Sequence, residues 1–215
     1  MSYKVLIADD HRIVREGLRC LLEKEHDINV VGDAGDGRTI LQLACDLHPD
    51  VIIMDVNMPE LNGIEATRQI VNALPTVKII ALSMHDDRRF VLGMLKAGAA
   101  GYLIKDDAFK NLSKAVRVVM AHKTYLSPEI ADLMADTWRS PSHAMASPDT
   151  PVLSHREQEI LQLVVEGKTS NQIAERLHIS AKTVETHRQQ ITVKLNIKNV
   201  AELTKYAIRE GLTAA

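Results

Sequence analysis

The chain has 215 residues, 46% of them apolar and 25% charged, with a formal net charge of −2, as expected of a soluble globular protein with one large domain or two modest ones. No apolar run approaches the roughly 18 residues of a membrane span, and Val5-Leu6-Ile7-Ala8 is too short for a signal-peptide core, so neither insertion nor export is expected and the reading is cytoplasmic. The two cysteines, Cys20 and Cys45, are far apart, fall in predicted helices and read as reduced structural thiols.

In chain order, short apolar runs at Tyr3–Ala8, Ile28–Asp33, Val51–Met54, Val77–Ser83 and Gly101–Ile104 alternate with helical patterns. The helices are expected near His11–Lys24, Gly37–Asp46, Gly63–Ala73, Arg88–Ala97 and Phe109–Ala121. Strands alternating with helices of this length imply βαβ units, and hence a five-stranded, doubly wound, flavodoxin-like parallel sheet over residues 1–121. Val51-Ile52-Ile53-Met54 is continuously apolar, as a strand covered on both faces should be.

Ser127-Pro128 can open a short helix to about Trp138. Residues Thr137–Pro151, with three Pro and three Ser in fifteen positions, then read as a flexible connection within a linker spanning 122–152. The remaining segment, 153–215, is helical throughout. Ser154-His155-Arg156-Glu157 and Thr169-Ser170-Asn171-Gln172 are capping boxes, and Gly167 is a helix stop. His178-Ile179-Ser180 is a tight turn before a helix over Ala181–Leu195, and a fourth helix runs from about Val200 to Glu210. Two helices joined by a short turn in a small bundle describe a helix-turn-helix. Residues 152–215 carry a formal charge of +2 and the rest −4, so the two parts suit different partners.

In an open parallel sheet, ligands bind outside the carboxyl ends of the strands. Strand one ends in Asp9-Asp10, strand three in Asp55, strand four in Ser83 and strand five in Lys105. Three carboxylates at one edge repel unless a cation sits among them, and Mg²⁺ suits such oxygen donors. A carboxylate, Mg²⁺, a hydroxyl and an ammonium make a phosphoryl-transfer site, with Asp55 as nucleophile. Singly, each residue has a plain structural reading: Asp10 as a helix cap, Asp55 as a loop acid, Lys105 as a solvated charge. Together, at four strand ends, coincidence is a poor explanation.

These residues resemble the receiver domains of two-component response regulators. The match runs through Ile7-Ala8-Asp9-Asp10-His11, Asp55-Val56-Asn57-Met58-Pro59 to Gly63, Leu82-Ser83-Met84, and Gly98-Ala99-Ala100-Gly101-Tyr102-Leu103-Ile104-Lys105, within Tyr3 to about Ala121. The resemblance implies that Asp55 accepts a phosphoryl group from a sensor histidine kinase. It implies that Asp10, Asp55 and the Asn57 backbone carbonyl hold Mg²⁺ with help from Asp9, and that Ser83 and Tyr102 form a switch pair drawn inward on modification. Asn57 and His85, two residues beyond Asp55 and Ser83, would border the acyl phosphate and influence its lifetime.

On the helix over Ala181–Leu195, Val184, His187, Ile191 and Leu195 share an inward face. The outward stripe is Lys182, Glu185, Thr186, Gln189 and Val193, with Arg188 and Thr192 on its shoulder. Gln can bind adenine and Glu can accept from cytosine N4, whereas Lys182, Thr183, Arg188 and Lys194 suit phosphates. Equally, each is an ordinary residue of a solvated helix face. The segments around Leu153–Glu157, Glu166–Ala174 and Ser180–His187 resemble the LuxR-type helix-turn-helix of the NarL/FixJ group. That resemblance implies binding of double-stranded promoter DNA as a homodimer, with RNA polymerase as a further candidate partner. Val200, Leu203 and Ala207 are then candidates for a subunit contact, with a core role as the plainer reading.

No turnover enzyme is expected beyond self-phosphorylation and its reversal. Two other readings fit parts of the chain. A Mg²⁺-dependent phosphatase also uses a nucleophilic Asp, but usually with a second acid two residues on, where this chain has Asn57. A DNA-binding regulator with a scaffold receiver would function normally as an Asp55→Asn variant.

Overall fold

A computed structural model describes residues 2–84, 87–139 and 153–213. The chain divides into two units, Met1–Ala144 and Met145–Ala215. In the first, strands β1 (Tyr3–Ala8), β2 (Ile28–Ala34), β3 (Val51–Asp55), β4 (Lys78–Ser83), β5 (Gly101–Ile104) and β6 (Tyr125–Leu126) form one parallel sheet in the order β2-β1-β3-β4-β5-β6. Between and after them lie α1 (Arg12–Leu22), α2 (Gly37–Leu47), α3 (Gly63–Ala73), α4 (Arg88–Ala97), α5 (Lys105–Met120) and α6 (Pro128–Arg139).

Side-chain alternation along the strands builds two cores. Leu6, Ala8, Ile52, Met54, Ile79 and Ala81 pack with α2, α3 and α4, while Val5, Ile7, Val51, Ile53, Ile80 and Leu82 pack with α1 and α5. Each buried Leu, Ile or Val side chain contributes on the order of 1.5–3 kcal/mol. Because both faces of β3 are covered, its sequence shows no polar alternation.

The sheet has six strands where sequence pattern suggests five. β6 is two residues long, too short to show any period; it pairs with β5 through Gly101–Tyr125 and Tyr102–Leu126, and Leu126 and Tyr125 pack against the two cores. Helix α5 begins at Lys105, four residues before the apolar pattern at Phe109 suggests. Its first turn carries Asp106 and Asp107, which suit the positive helix end, and Phe109 itself is largely exposed. Cys20 and Cys45 are free and exposed, not structural, because each falls on the solvent side of its helix. Helix α6, placed in the linker by its sequence, packs into the first unit through Ile130, which is 0% exposed. The rest of the expected linker, 140–152, and His85 lie outside the described residues.

The second unit comprises α7 (His155–Val165), α8 (Ser170–Leu177), α9 (Ala181–Leu195) and α10 (Val200–Arg209) around Ile160, Leu163, Ile173, Val184, Ile191 and Ala207. Both capping boxes form, and Ser180 and Asn199 cap α9 and α10. Arg156 Nη2 donates to the Leu177 carbonyl at 2.9 Å, tying α7 to the end of α8.

Gly63 opens α3 against the main chain of β3: its N–H donates to the Val56 carbonyl at 2.9 Å, and a Cβ there would lie 2.0 Å from the Asp55 carbonyl oxygen. Gly63→Ala therefore forces backbone apart and is expected to lower the stability of the first unit by about 1–3 kcal/mol in urea unfolding. At Gly167, where φ is +82° and nothing lies within 4 Å of a built Cβ, alanine should cost only about 1 kcal/mol of left-handed strain.

Candidate functional site

The strand order reverses direction between β1 and β3, which opens a crevice at their carboxyl ends. Ala8 pairs with Met54, so the register carries Asp9 alongside Asp55. Asp55 pairs with Leu82, and Ser83 with Ile104, so the residue after β5 falls at the same edge. That residue is Lys105, the first of α5. Its ammonium donates to Asp55 Oδ2 at 3.0 Å and lies in ion-pair contact 2.7 Å from Asp9 Oδ2.

All three groups are withdrawn from solvent: Asp9 is 0%, Asp55 4% and Lys105 9% exposed. Burial pushes the Asp55 carboxyl up to about 6; Lys105 opposes this, and the charges of Asp9 and Asp10 add to it. Burial also works against the Lys105 ammonium, but Asp55 and Asp9 outweigh it and hold its pKa above the ordinary lysine value. At neutral pH one fixed cation thus holds two crowded anions together.

The remaining pocket residues surround this core. Asp10 is exposed, and its Oδ1 lies 2.6 Å from His11 Nδ1. Asp9 Oδ1 accepts from the His11 amide at 2.9 Å, while Arg15 Nη1 donates to the Asp9 carbonyl at 2.7 Å and its Nε to Asp33 at 2.8 Å. Asp9, Asp10 and His11 offer ligand atoms within 4.8 Å of one another. Asn57 Oδ1, in the loop after β3, is buried and has no hydrogen-bond partner among the described residues. This oxygen-rich set fits a hard divalent cation such as Mg²⁺. His11 and Arg15 are part of the site although the strand-end pattern does not single them out. For His11 the signal was its place directly after Asp10; for Arg15 no pattern along the chain gives it, because its partners are the Asp9 carbonyl and Asp33 of β2.

Ser83 closes β4 and is buried. Tyr102 is 0% exposed and belongs to the core cluster shared by α4 and α6. The Tyr102 carbonyl accepts from the Ser127 amide at 3.0 Å, joining β5 to the start of α6.

In the second unit, α9 presents Lys182, Thr183, Glu185, Thr186 and Gln189 to solvent, together with Val193, which is 79% exposed. Val184 and Ile191 are buried, with His187 and Leu195 half-buried, as helical spacing implies. Thr186, Gln189, Gln190, Val193 and Lys194 line one open groove. Two candidate phosphate contacts have partners inside the unit. Lys194 Nζ donates to Glu157 Oε2 at 2.8 Å, and Arg188 Nη1 donates to Ser170 Oγ at 2.8 Å. Leu203 and Ala207 are core residues, whereas Val200 is exposed.

The family model described as the response regulator receiver domain matches residues 5–117, and the one described as bacterial regulatory proteins, luxR family, matches 151–207. The oxygen regulatory protein NreC of Staphylococcus carnosus is 39% identical over 97% of this chain and 98% of that protein. Transcriptional regulatory protein DegU of Brevibacillus brevis is 35% identical over 97% and 94%. Among solved structures, the RcsB response regulator of Salmonella typhimurium matches with a TM-score of 0.60 and 29% identity, over 95% of this chain and 97% of that one. An RcsB–DNA complex matches with a TM-score of 0.60 and 28% identity, over 96% and 98%.

Two outcomes follow from this geometry. Because folding raises the Asp55 pKa, the folded state favours the protonated acid, and ionised Asp55 costs stability above about pH 6. In Mg²⁺-free buffer Asp55→Asn should therefore stabilise the first unit by about 1–3 kcal/mol at pH 7.5, with the gain vanishing towards pH 4. In the second unit Glu157 is pushed up by burial but held below the ordinary glutamate range overall by Lys194 and Ser154. Its contribution is present above that range and lost as pH falls through the lowered value. Lys194→Ala should cost roughly 1 kcal/mol at pH 7 and progressively less in acid, as read by thermal melts across pH.

Proposed function

The chain belongs to the two-component response regulators with a LuxR-type DNA-binding domain, and we propose that it is a transcriptional regulator switched by phosphorylation of Asp55. The observation that carries this reading is the buried Lys105 ammonium shared between Asp9 and Asp55, at the strand edge where the sheet order reverses. Membership of this family sets the phosphatase reading aside.

The donor is a phosphohistidine of a sensor kinase, and small acyl phosphates replace it in vitro. A carboxylate oxygen of Asp55 attacks the phosphorus; the bond from phosphorus to the donor breaks, and its electron pair leaves with the donor. Mg²⁺, held by Asp9, Asp10, Asp55 and the Asn57 backbone carbonyl, would supply positive charge for the phosphoryl oxygens. Lys105 adds a fixed cation, and the Ser83 hydroxyl would donate to a phosphoryl oxygen. Asn57, two residues beyond Asp55, would border the product and influence its lifetime.

Transmission runs through β5. When Ser83 and Lys105 turn to the phosphoryl group, Lys105 loosens its hold on Asp9, and the ends of β4 and β5 readjust. Tyr102 lies on β5, its carbonyl anchors Ser127, and its ring shares a core with Ile130 of α6, so the connecting helix is reached directly. Each tenfold shift in the switch equilibrium needs about 1.4 kcal/mol of differential interaction. Hydrogen bonds to charged groups, at roughly 1.5–3 kcal/mol each, are large enough. The output is a homodimer that places two copies of α9 on half-sites about one helical turn apart in promoter DNA, with RNA polymerase as the downstream contact. Among the described residues no helix is long and apolar enough to cross a membrane; the proposed place of action is the cytoplasm, where promoter DNA would be met.

Intact mass spectrometry of the full chain with acetyl phosphate and Mg²⁺ should show the gain of one base-labile phosphoryl group, mapped to Asp55. The gain should be absent in Asp55→Asn and without the divalent cation. Labelling that persists in Asp55→Asn would assign the acceptor elsewhere.

A further inference from the structure

Of the residues on the exposed stripe of α9, Glu185 differs in what it touches. Ser170 Oγ, at the first residue of α8, donates to Glu185 Oε1, and Arg188 Nη1 donates to the same Ser170 oxygen at 2.8 Å. Arg188 Nη1 also lies 3.8 Å from Glu185 Oε1. The single Ser170 hydroxyl proton is therefore committed to the carboxylate, and its lone pair to the guanidinium. The three side chains form one chain, Arg188 to Ser170 to Glu185, that spans the two helices of the helix-turn-helix. The neighbouring groups behave differently. Thr186 bonds only to its own helix, at the Lys182 carbonyl, and the Gln189 amide makes no hydrogen bond to the described residues.

We infer that Glu185 is a positioning residue for DNA binding and not a reader of bases: through Ser170 it fixes Arg188 against α8, leaving Thr186, Gln189 and Val193 to meet the groove. This assignment rests on the proposed DNA-binding role of α9. A free carboxylate on a DNA-facing helix is repelled by phosphates unless it finds a donor. Here the donors come from within the protein, so cytosine N4 is not needed to satisfy it. An arginine left loose at that place would surrender side-chain entropy on meeting a phosphate, whereas one already held by Ser170 surrenders less.

Glutamate and glutamine read different bases, but either can accept from Ser170. The test is selection of bound duplexes from a random-sequence DNA library by the full chain, with and without acetyl phosphate and Mg²⁺, followed by affinity measurements on the selected duplex. Glu185→Gln should select the same sequence as the parent and bind it within about twofold. Glu185→Ala should also keep the preference but bind every duplex about threefold to tenfold more weakly. That loss should disappear when Arg188 is already alanine. Circular dichroism melts confirm that the variants fold. A change of the preferred base at one position in Glu185→Gln, from cytosine towards adenine, would overturn the assignment and make Glu185 a reader. An alanine effect of the same size with Arg188 absent would overturn it too. Should the parent chain enrich no duplex at all, the DNA-binding reading itself fails and this inference with it.

Discussion

One ammonium organises the first unit. Lys105 is placed by the junction of β5 and α5 so that it touches both Asp9 and Asp55 from inside the protein. Two acids this deeply buried would be costly without it, since burial alone drives Asp55 towards protonation. On the proposed reading, a group that outcompetes either carboxylate for the ammonium would release that hold at the end of β5. A phosphoryl group on Asp55 is such a competitor, because it brings more negative charge and more acceptor oxygens than the carboxylate it modifies.

The same principle recurs in the second unit on a smaller scale. Charges on α9 that the sequence offers equally to DNA are partly engaged within the protein, Lys194 by the buried Glu157 and Arg188 by Ser170 and Glu185. A net charge of +2 over residues 152–215 already implies a modest electrostatic attraction to DNA. The paired acids, Glu157 and Glu185, are already counted in that total, so the small excess puts weight on the placement of a few side chains.

Much of this was legible in the sequence because the signals are local. The strands that carry chemistry are continuous apolar runs that stop at a polar residue, so the strand boundaries, and with them Asp9, Asp55, Ser83 and Lys105, could be read from apolar runs alone. The capping boxes at Ser154 and Thr169 fixed two helix starts to the residue. What escaped depends on tertiary partners. β6 depends on the edge that β5 offers and on the cores that Tyr125 and Leu126 pack against, and α5 begins with Lys105, a charge whose partners are the buried acids of other strands. Asp9, placed second to Asp10 by motif, is the more deeply buried acid and the one that shares Lys105. The pairings of Lys194 and Glu185 are equally invisible along the chain, since their partners stand 37 and 15 residues away.

The measurement that bears most directly on this account is the duplex affinity of phosphorylated Lys105→Met beside phosphorylated parent chain, with the extent of phosphorylation matched by mass spectrometry. If the shared ammonium links the phosphoryl group to the rest of the receiver, modification should change the parent's affinity at least about tenfold and leave that of the variant nearly unchanged. An equal change in both proteins would contradict the account and place the link elsewhere.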